Sequence, residues 1–304
     1  MPTNKILIGP SSFAATDREA MDRLLAAGCE VVPNPHGRKL TKDEMFGLLT
    51  DDVVGLIAGL EPLDEEVLSR SRLKVISRVG SGVSNIDLEA AKRLKVAVRT
   101  TPTGPVEAVA ELTLGALLCL LREISAFDRD IGAGTWKKRT GVQLEGKTVA
   151  IVGFGRIGRR VAELLRPFNV RLLAVDPNLA VETDGVPVMP LAQALREADV
   201  VTLHCAGEAQ LIGADELGAM KPGSYLLNAA RGGLVDESAL LAALDSEKLA
   251  GAWLDTYAKE PYNGPLADHP RVLTTPHVGS YTRECRKSME LEAVENLLSA
   301  LREL

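Results

Sequence analysis

Thr148-Val149-Ala150-Ile151-Val152-Gly153-Phe154-Gly155-Arg156-Ile157-Gly158 decides the fold. Thr148–Val152 is short, apolar and rich in β-branched residues, which predicts a buried strand. Three glycines follow at G-x-G-x-x-G spacing. Ile157, Val161, Leu164, Leu165 and Phe168 then recur at helical spacing. Strand, glycine turn and amphipathic helix, in that order, form the context in which such glycines bind a dinucleotide. Gly153, Gly155 and Gly158 permit the tight turn and the close backbone approach, and the helix N-terminus faces the pyrophosphate. Asp176 closes the next strand about twenty residues on, where a carboxylate accepts ribose hydroxyls and repels a 2′-phosphate. NAD is therefore expected rather than NADP. Arg156 either leans on the pyrophosphate or points to solvent, and the sequence does not separate the two. Ile157 completes the cofactor loop.

The same grammar extends in both directions. Downstream, strands are expected at Arg171–Val175, Val200–Leu203, Tyr225–Asn228, Gly251–Leu254 and Val272–Thr274. Upstream, Lys5–Ile8, Glu30–Val32, Gly55–Ala58, Val75–Arg78 and Val96–Val98 read as buried strands. Asp17–Ala27, Lys42–Leu49, Asp64–Arg70 and Leu88–Leu94 read as the helices between them, with Asp64 and Asp87 where N-caps belong. Repeated β-α-β alternation predicts parallel sheets covered on both faces. Between the two series, Val106–Ile131 reads as one long helix, apolar nearly all round, to be buried in the body or against a second subunit. Thr282–Leu301 is the last helix, with Val294, Leu297, Leu298 and Leu301 on one face.

The chain has 304 residues, more than one core usually holds, so two domains are expected. Apolar residues at 46% and charged residues at 25% exclude a disordered or fibrous chain. The apolar stretch Leu112–Leu121 falls short of the roughly 20 residues of a bilayer span. The N-terminal run Ile6-Leu7-Ile8 is too short for a secretory leader. A net charge of −6 argues against a nucleic-acid partner, and Trp136-Lys137-Lys138-Arg139 reads as a solvated turn. Cys29, Cys119, Cys205 and Cys285 lie far apart, which argues against disulfides or a metal centre and fits a reducing cytoplasm.

Three stretches place polar groups just after apolar strands, where open α/β sheets put their ligands. They are Asn228–Gly233, Leu254–Pro261 and Thr275–Ser280. An arginine, a carboxylate and a histidine suit reversible reduction of a 2-keto acid. Arg231 would hold a carboxylate bidentately. A histidine can give or take a proton near neutral pH, and a carboxylate on its other ring nitrogen fixes its tautomer and stabilises its charged form. His204 also ends a strand, and a cofactor-loop or structural role suits it better. His36 and His269 sit in Pro-containing loops, and Cys205 has nothing beside it to activate a thiol.

These residues, with Arg78-Val79-Gly80-Ser81-Gly82, Asn85-Ile86-Asp87, Val109-Ala110-Glu111-Leu112, Met220-Lys221-Pro222-Gly223, Arg231–Glu237, Glu260-Pro261 and Pro276-His277, make the chain resemble the D-isomer-specific 2-hydroxyacid dehydrogenases. Among them it is most similar to short phosphoglycerate dehydrogenases without a regulatory domain. The resemblance implies an α/β protein of two Rossmann-like domains with parallel sheets. Residues 1–98 and 282–304 would form a flavodoxin-like substrate domain and residues 99–281 the NAD-binding domain. The long apolar helix Val106–Ile131 leads us to expect a homodimer, and hydropathy and net charge leave no membrane or nucleic-acid partner expected. The resemblance also implies that Arg231, Glu260 and His277 are catalytic. Ser81, Ala229, Asp255 and Gly279 would line the cofactor, Asp255 at the nicotinamide carboxamide. Gly80, Ser81 and Arg231 would meet the 2-hydroxy or 2-keto acid.

The sequence departs from the family at three points. Pro105 stands where many relatives carry asparagine, and the Cys205–Gln210 loop is short. The stretch Leu56–Pro62 carries Glu61 and no arginine where phosphoglycerate dehydrogenases meet the phosphate, so an unphosphorylated acid is expected. Arg78 is the nearest cation in sequence. Two other readings use the same fold: a dinucleotide-sensing corepressor-like protein, and a dehydrogenase of a non-hydroxyacid oxyanion.

Overall fold

The computed structural model describes residues 4–179, 182–207 and 209–303. Two compact units divide near Pro105 and Ser280.

The first unit alternates strand and helix: β1 (Lys5–Ile8), α1 (Glu19–Ala26), β2 (Glu30–Val32), α2 (Lys42–Leu48), β3 (Val53–Ala58), α3 (Glu65–Arg70), β4 (Val75–Arg78), α4 (Leu88–Arg93) and β5 (Ala97–Thr100). The sheet is parallel in the order β2-β1-β3-β4-β5. Asp64 and Asp87 cap α3 and α4 through the Val67 and Ala90 N–H groups, and Thr41 caps α2 in a capping box. Each cap satisfies a donor that the helix cannot pair internally. The fifth strand runs to Thr100, and the Thr101 hydroxyl accepts the Gly80 N–H at 2.7 Å. The division thus falls beyond the expected residue 98, which lies inside β5.

The second unit comprises α5 (Pro105–Leu121), α6 (Ile124–Gly132), β6 (Thr148–Val152), α7 (Arg156–Leu165), β7 (Arg171–Val175), β8 (Glu182–Thr183), β9 (Val186–Pro187), α8 (Leu191–Glu197), β10 (Val200–Leu203), α9 (Ala214–Ala219), β11 (Ser224–Asn228), α10 (Glu237–Asp245), β12 (Leu249–Leu254) and β13 (Val272–Thr274). Its main sheet is also parallel, in the order β13-β12-β11-β10-β6-β7. Strand alternation sorts the core into two faces. Val149 and Ile151 pack with α5 and α7. Ala150 and Val152 pack with α8, α9 and α10. Burial on both faces explains why the strands read as unbroken apolar runs.

The expected single helix over Val106–Ile131 is two. Glu123 takes a left-handed conformation (φ 51°), which ends the α5 ladder and starts α6 at a new angle. The chain then returns to the first unit as α11 (Arg283–Arg302), capped by Thr282. Val294 and Leu297 are buried there, with Leu297 against Gly55 of β3. Among the described residues no helix is long and apolar enough to cross a membrane.

Candidate active site

Because all six strands of the second unit's main sheet are parallel, the loops after β6, β10, β11, β12 and β13 emerge at one edge. Strand order reverses there between β6 and β10, the place where such sheets bind ligands. Gly153 follows β6 with φ 90°, and a Cβ on it would overlap the Cys205 backbone after β10. A Cβ on Gly158 would overlap the Gly153 carbonyl. A Cβ on Gly155, by contrast, would meet nothing within 4 Å. Two glycines thus serve internal packing, while the third leaves open space at the start of α7, where a pyrophosphate fits.

Asp176 follows β7 and accepts the Phe154 N–H at 3.0 Å and the Asn178 N–H at 3.0 Å. Its carboxylate is thereby fixed beside the glycine loop, as a ribose-binding group must be. Arg156 is exposed on the first turn of α7, and Ile157 is half-buried. This edge fits a dinucleotide.

The histidines separate cleanly. His204 pairs Nε2 with the Thr202 hydroxyl at 2.9 Å. Its Nδ1 is buried without a partner, and burial pushes its pKa down to about 3. It is neutral at physiological pH and structural. His269 Nδ1 accepts the Arg271 N–H at 3.2 Å, and His36 lies beside Glu44 on the surface of the first unit. Burial raises the Cys205 thiol, so it is no activated nucleophile.

His277 combines partial exposure with the shortest carboxylate contact of the histidines, on the sheet edge that carries the glycine loop. Its Nδ1 stands 2.9 Å from Glu260 Oε2 and 3.2 Å from Oε1. An Nδ1–H donated to this carboxylate leaves Nε2 as the working nitrogen. The backbone around it is strained: His277 has φ 54°, just after a three-residue turn closed by its N–H on the Thr275 carbonyl at 3.0 Å. Asp255 holds the strained segment. Its buried carboxylate accepts the Thr275 hydroxyl at 2.6 Å, the Val278 N–H at 2.9 Å and the Gly279 N–H at 2.8 Å. Trp253 donates to the same Thr275 hydroxyl at 3.0 Å. Gly279 lies where a Cβ would come within 3.1 Å of that carboxylate.

Arg231 follows β11, next to half-buried Ala229, on a turn held by Asn228. The Asn228 amide donates to the Arg231 carbonyl at 2.9 Å and accepts the Ala230 N–H at 3.0 Å. The guanidinium donates to the Ala230 carbonyl at 2.7 Å and remains half-exposed. The sequence places Asn228, Tyr257 and Thr275 within the three ligand-edge stretches but gives them no individual role, because their roles are contacts rather than motifs. The Tyr257 N–H donates to Glu260 Oε1 at 3.1 Å. Burial pushes its phenol up to about 12, so the hydroxyl stays protonated beside the Leu254 and Thr275 carbonyls.

Gly80 and Ser81 belong to the first unit, on the loop after β4, with Ser81 exposed. Glu61 departs from expectation. Rather than facing a ligand it is buried, and it accepts the Gly59 N–H at 2.8 Å. Arg78 is buried too and donates to the Val79 carbonyl. The loop between Cys205 and Gln210 includes Glu208, which lies outside the described residues.

Residues 114–279 match the profile of the D-isomer specific 2-hydroxyacid dehydrogenase, NAD binding domain. The D-3-phosphoglycerate dehydrogenase of Sus scrofa is 36% identical over 292 residues, 93% of this chain and 54% of that protein. The chain spans about half the length of the curated relatives it matches. The TT0316 protein of Thermus thermophilus superimposes with a TM-score of 0.90 at 36% identity, over 98% of this chain and 97% of that one. A glyoxylate reductase from Paecilomyes thermophila gives 0.89 at 32% identity, over 100% and 97%. With a matching profile over more than half its length and full-length structural likeness, the chain belongs to the D-isomer specific 2-hydroxyacid dehydrogenase family.

Proposed function

We propose that the protein is an NAD-dependent oxidoreductase interconverting a small D-2-hydroxy acid and its 2-keto acid. The observation that carries this reading is the His277–Glu260 pair, at 2.9 Å, on the sheet edge that also bears the glycine loop. Bound nicotinamide supplies or accepts the hydride. Arg231 orients the substrate carboxylate through its planar fork. His277 delivers the proton to the carbonyl oxygen in reduction and removes it in oxidation, and Glu260 stabilises the imidazolium between turnovers. The second unit is the cofactor domain, and Ala229, Asp255 and Gly279 are its further contacts. The first unit, through Gly80 and Ser81, is the substrate domain.

Asp176 supports NAD over NADP by charge repulsion. An unphosphorylated substrate fits best. Glu61 and Arg78 are both turned inward, and the exposed side chain of that loop is the apolar Leu60. A homodimer is supported by the apolar α5 and by exposed Ile124, Ile131 and Trp136 on the segment that follows. Four free cysteines suit a reducing cytoplasm.

The test is a screen of hydroxypyruvate, glyoxylate, pyruvate, sulfopyruvate and 3-phosphohydroxypyruvate, followed by NADH absorbance. Turnover of an unphosphorylated acid is expected. No turnover on any of them would sink the reading, and preference for the phosphorylated compound would overturn the substrate assignment. Light scattering at micromolar concentration reads the dimer.

A further inference from the structure

Glu237 is the last residue of the Arg231–Glu237 stretch and the first residue of α10. A carboxylate there would ordinarily serve its own helix N-terminus. Asp236 already does so, accepting the Ser238 N–H at 2.9 Å and the Ala239 N–H at 3.0 Å. The Glu237 side chain instead reaches across 21 residues of sequence and accepts the Ala258 N–H at 2.9 Å.

The contact lies next to a second one between the same two segments. A Cβ on Gly232 would overlap the Tyr257 carbonyl, so the arginine-bearing loop and the Tyr257–Ala258 peptide pack backbone to backbone. Tyr257 in turn donates its N–H to Glu260 Oε1 at 3.1 Å, while Oε2 meets His277. An unbroken series of short contacts therefore runs from the Arg231 loop through residues 257 and 258 to Glu260 and His277. Gly232 brings the segments together by lacking a side chain, which sets a distance but not an angle. The Glu237 hydrogen bond is directional and fixes the orientation of the Tyr257–Ala258 peptide, which directly follows the N–H that Tyr257 presents to Glu260.

We propose that Glu237 is a positioning residue: by holding the Ala258 N–H it ties the 257–260 turn to the arginine loop and so sets Glu260 against His277. The proposal rests on the dehydrogenase reading for its kinetic consequence, although not for its structural one. Catalytic groups held slightly out of place lose rate steeply.

Four variants test it: E237A, E237Q, E260Q and the double variant E237A/E260Q. The substrate is whichever of hydroxypyruvate or glyoxylate the wild type reduces with NADH. E237A should lower kcat about ten-fold while leaving NADH binding, read by fluorescence, unchanged and the keto-acid KM within about three-fold. E237Q keeps an acceptor oxygen and should recover most of the loss. Because Glu237 acts through Glu260, the double variant should be no slower than E260Q alone. Amide hydrogen exchange supplies a readout independent of activity. Exchange at both Tyr257 and Ala258 should accelerate in E237A and stay near wild type in E237Q. Unchanged Tyr257 exchange in E237A, or a double variant slower by the product of the single effects, would overturn the proposal. A wild type that reduces neither acid would count against the dehydrogenase reading, and the exchange measurement would still decide the role of Glu237.

Discussion

The two sheets share a strand order, 2-1-3-4-5 in each unit's own count, with one further strand in the second. Each has a reversal point between its first strand and the next strand on the other side: β1 against β3, and β6 against β10. What fills that point differs. In the second unit the reversal is lined by glycines, and Gly155 leaves open space. In the first unit Glu61 occupies it, its carboxylate packed where Cβ atoms on Gly9 and Gly59 would lie. Asn85 donates to the Glu61 carbonyl at 2.7 Å, and Asn34 donates to the Gly9 carbonyl at 2.7 Å. One crevice is prepared for a ligand and the other is closed by the chain's own side chains. Topology nominates a place for binding, and side-chain volume decides whether anything can enter it.

The largest expected effect tests the open edge as a chemical site. His277→Gln should cut keto-acid turnover by roughly a hundred-fold or more with NADH binding retained. Turnover within a few-fold of wild type would move the proton donor elsewhere, and His204, held neutral by burial, could not replace it.

Next comes the contrast between glycines. Gly9→Ala should destabilise by about 1–3 kcal/mol, since the new Cβ displaces a buried carboxylate. In a Glu61→Ala background the same change should cost markedly less. Gly155→Ala should alter stability by less than about 0.5 kcal/mol yet weaken dinucleotide binding. Urea melts and NADH titrations measure both. Equal destabilisation at Gly9 and Gly155 would erase the contrast.

A smaller effect belongs to cofactor choice. Wild type should prefer NAD over NADP by about ten-fold, or about 1.4 kcal/mol, and Asp176→Ala should narrow that ratio. Equal kcat/KM with both cofactors in the wild type would remove Asp176 from discrimination.

The smallest effect concerns the closed crevice. Burial raises the Glu61 carboxyl above its usual range, outweighing the Gly59 N–H and the nearby Arg78. The folded chain therefore holds this proton more tightly than the unfolded chain. The resulting stability is full below the unfolded value and is lost as pH rises through the folded one. Glu61→Gln removes that loss, so its Tm relative to wild type should improve between pH 5 and pH 8. An identical difference at both pH values would mean that Glu61 ionises as freely folded as unfolded.

Sequence alone determined the architecture and most of the cofactor edge. Short unbroken apolar runs such as Val149–Val152, separated by amphipathic stretches, admit little besides parallel sheets, because both faces of each strand must be buried. The spacing of Gly153, Gly155 and Gly158 is local, and so is the capping by Asp64 and Asp87. Tertiary structure decided what depends on neighbours distant in sequence. The break at Glu123 splits a stretch whose composition favours one continuous helix. Glu61 looked like a ligand-facing charge because a side chain's direction is absent from a sequence, and only packing against Gly9 and Gly59 turned it inward. Asp255 was read as a cofactor contact, yet the folded chain also makes it the clamp on the strained His277 segment, across more than twenty residues. Glu237 carried no assigned role until the Ala258 N–H was found on it. Motifs report which groups a chain possesses; hydrogen bonds between segments assign their orientation, since that geometry exists only once the strands have paired.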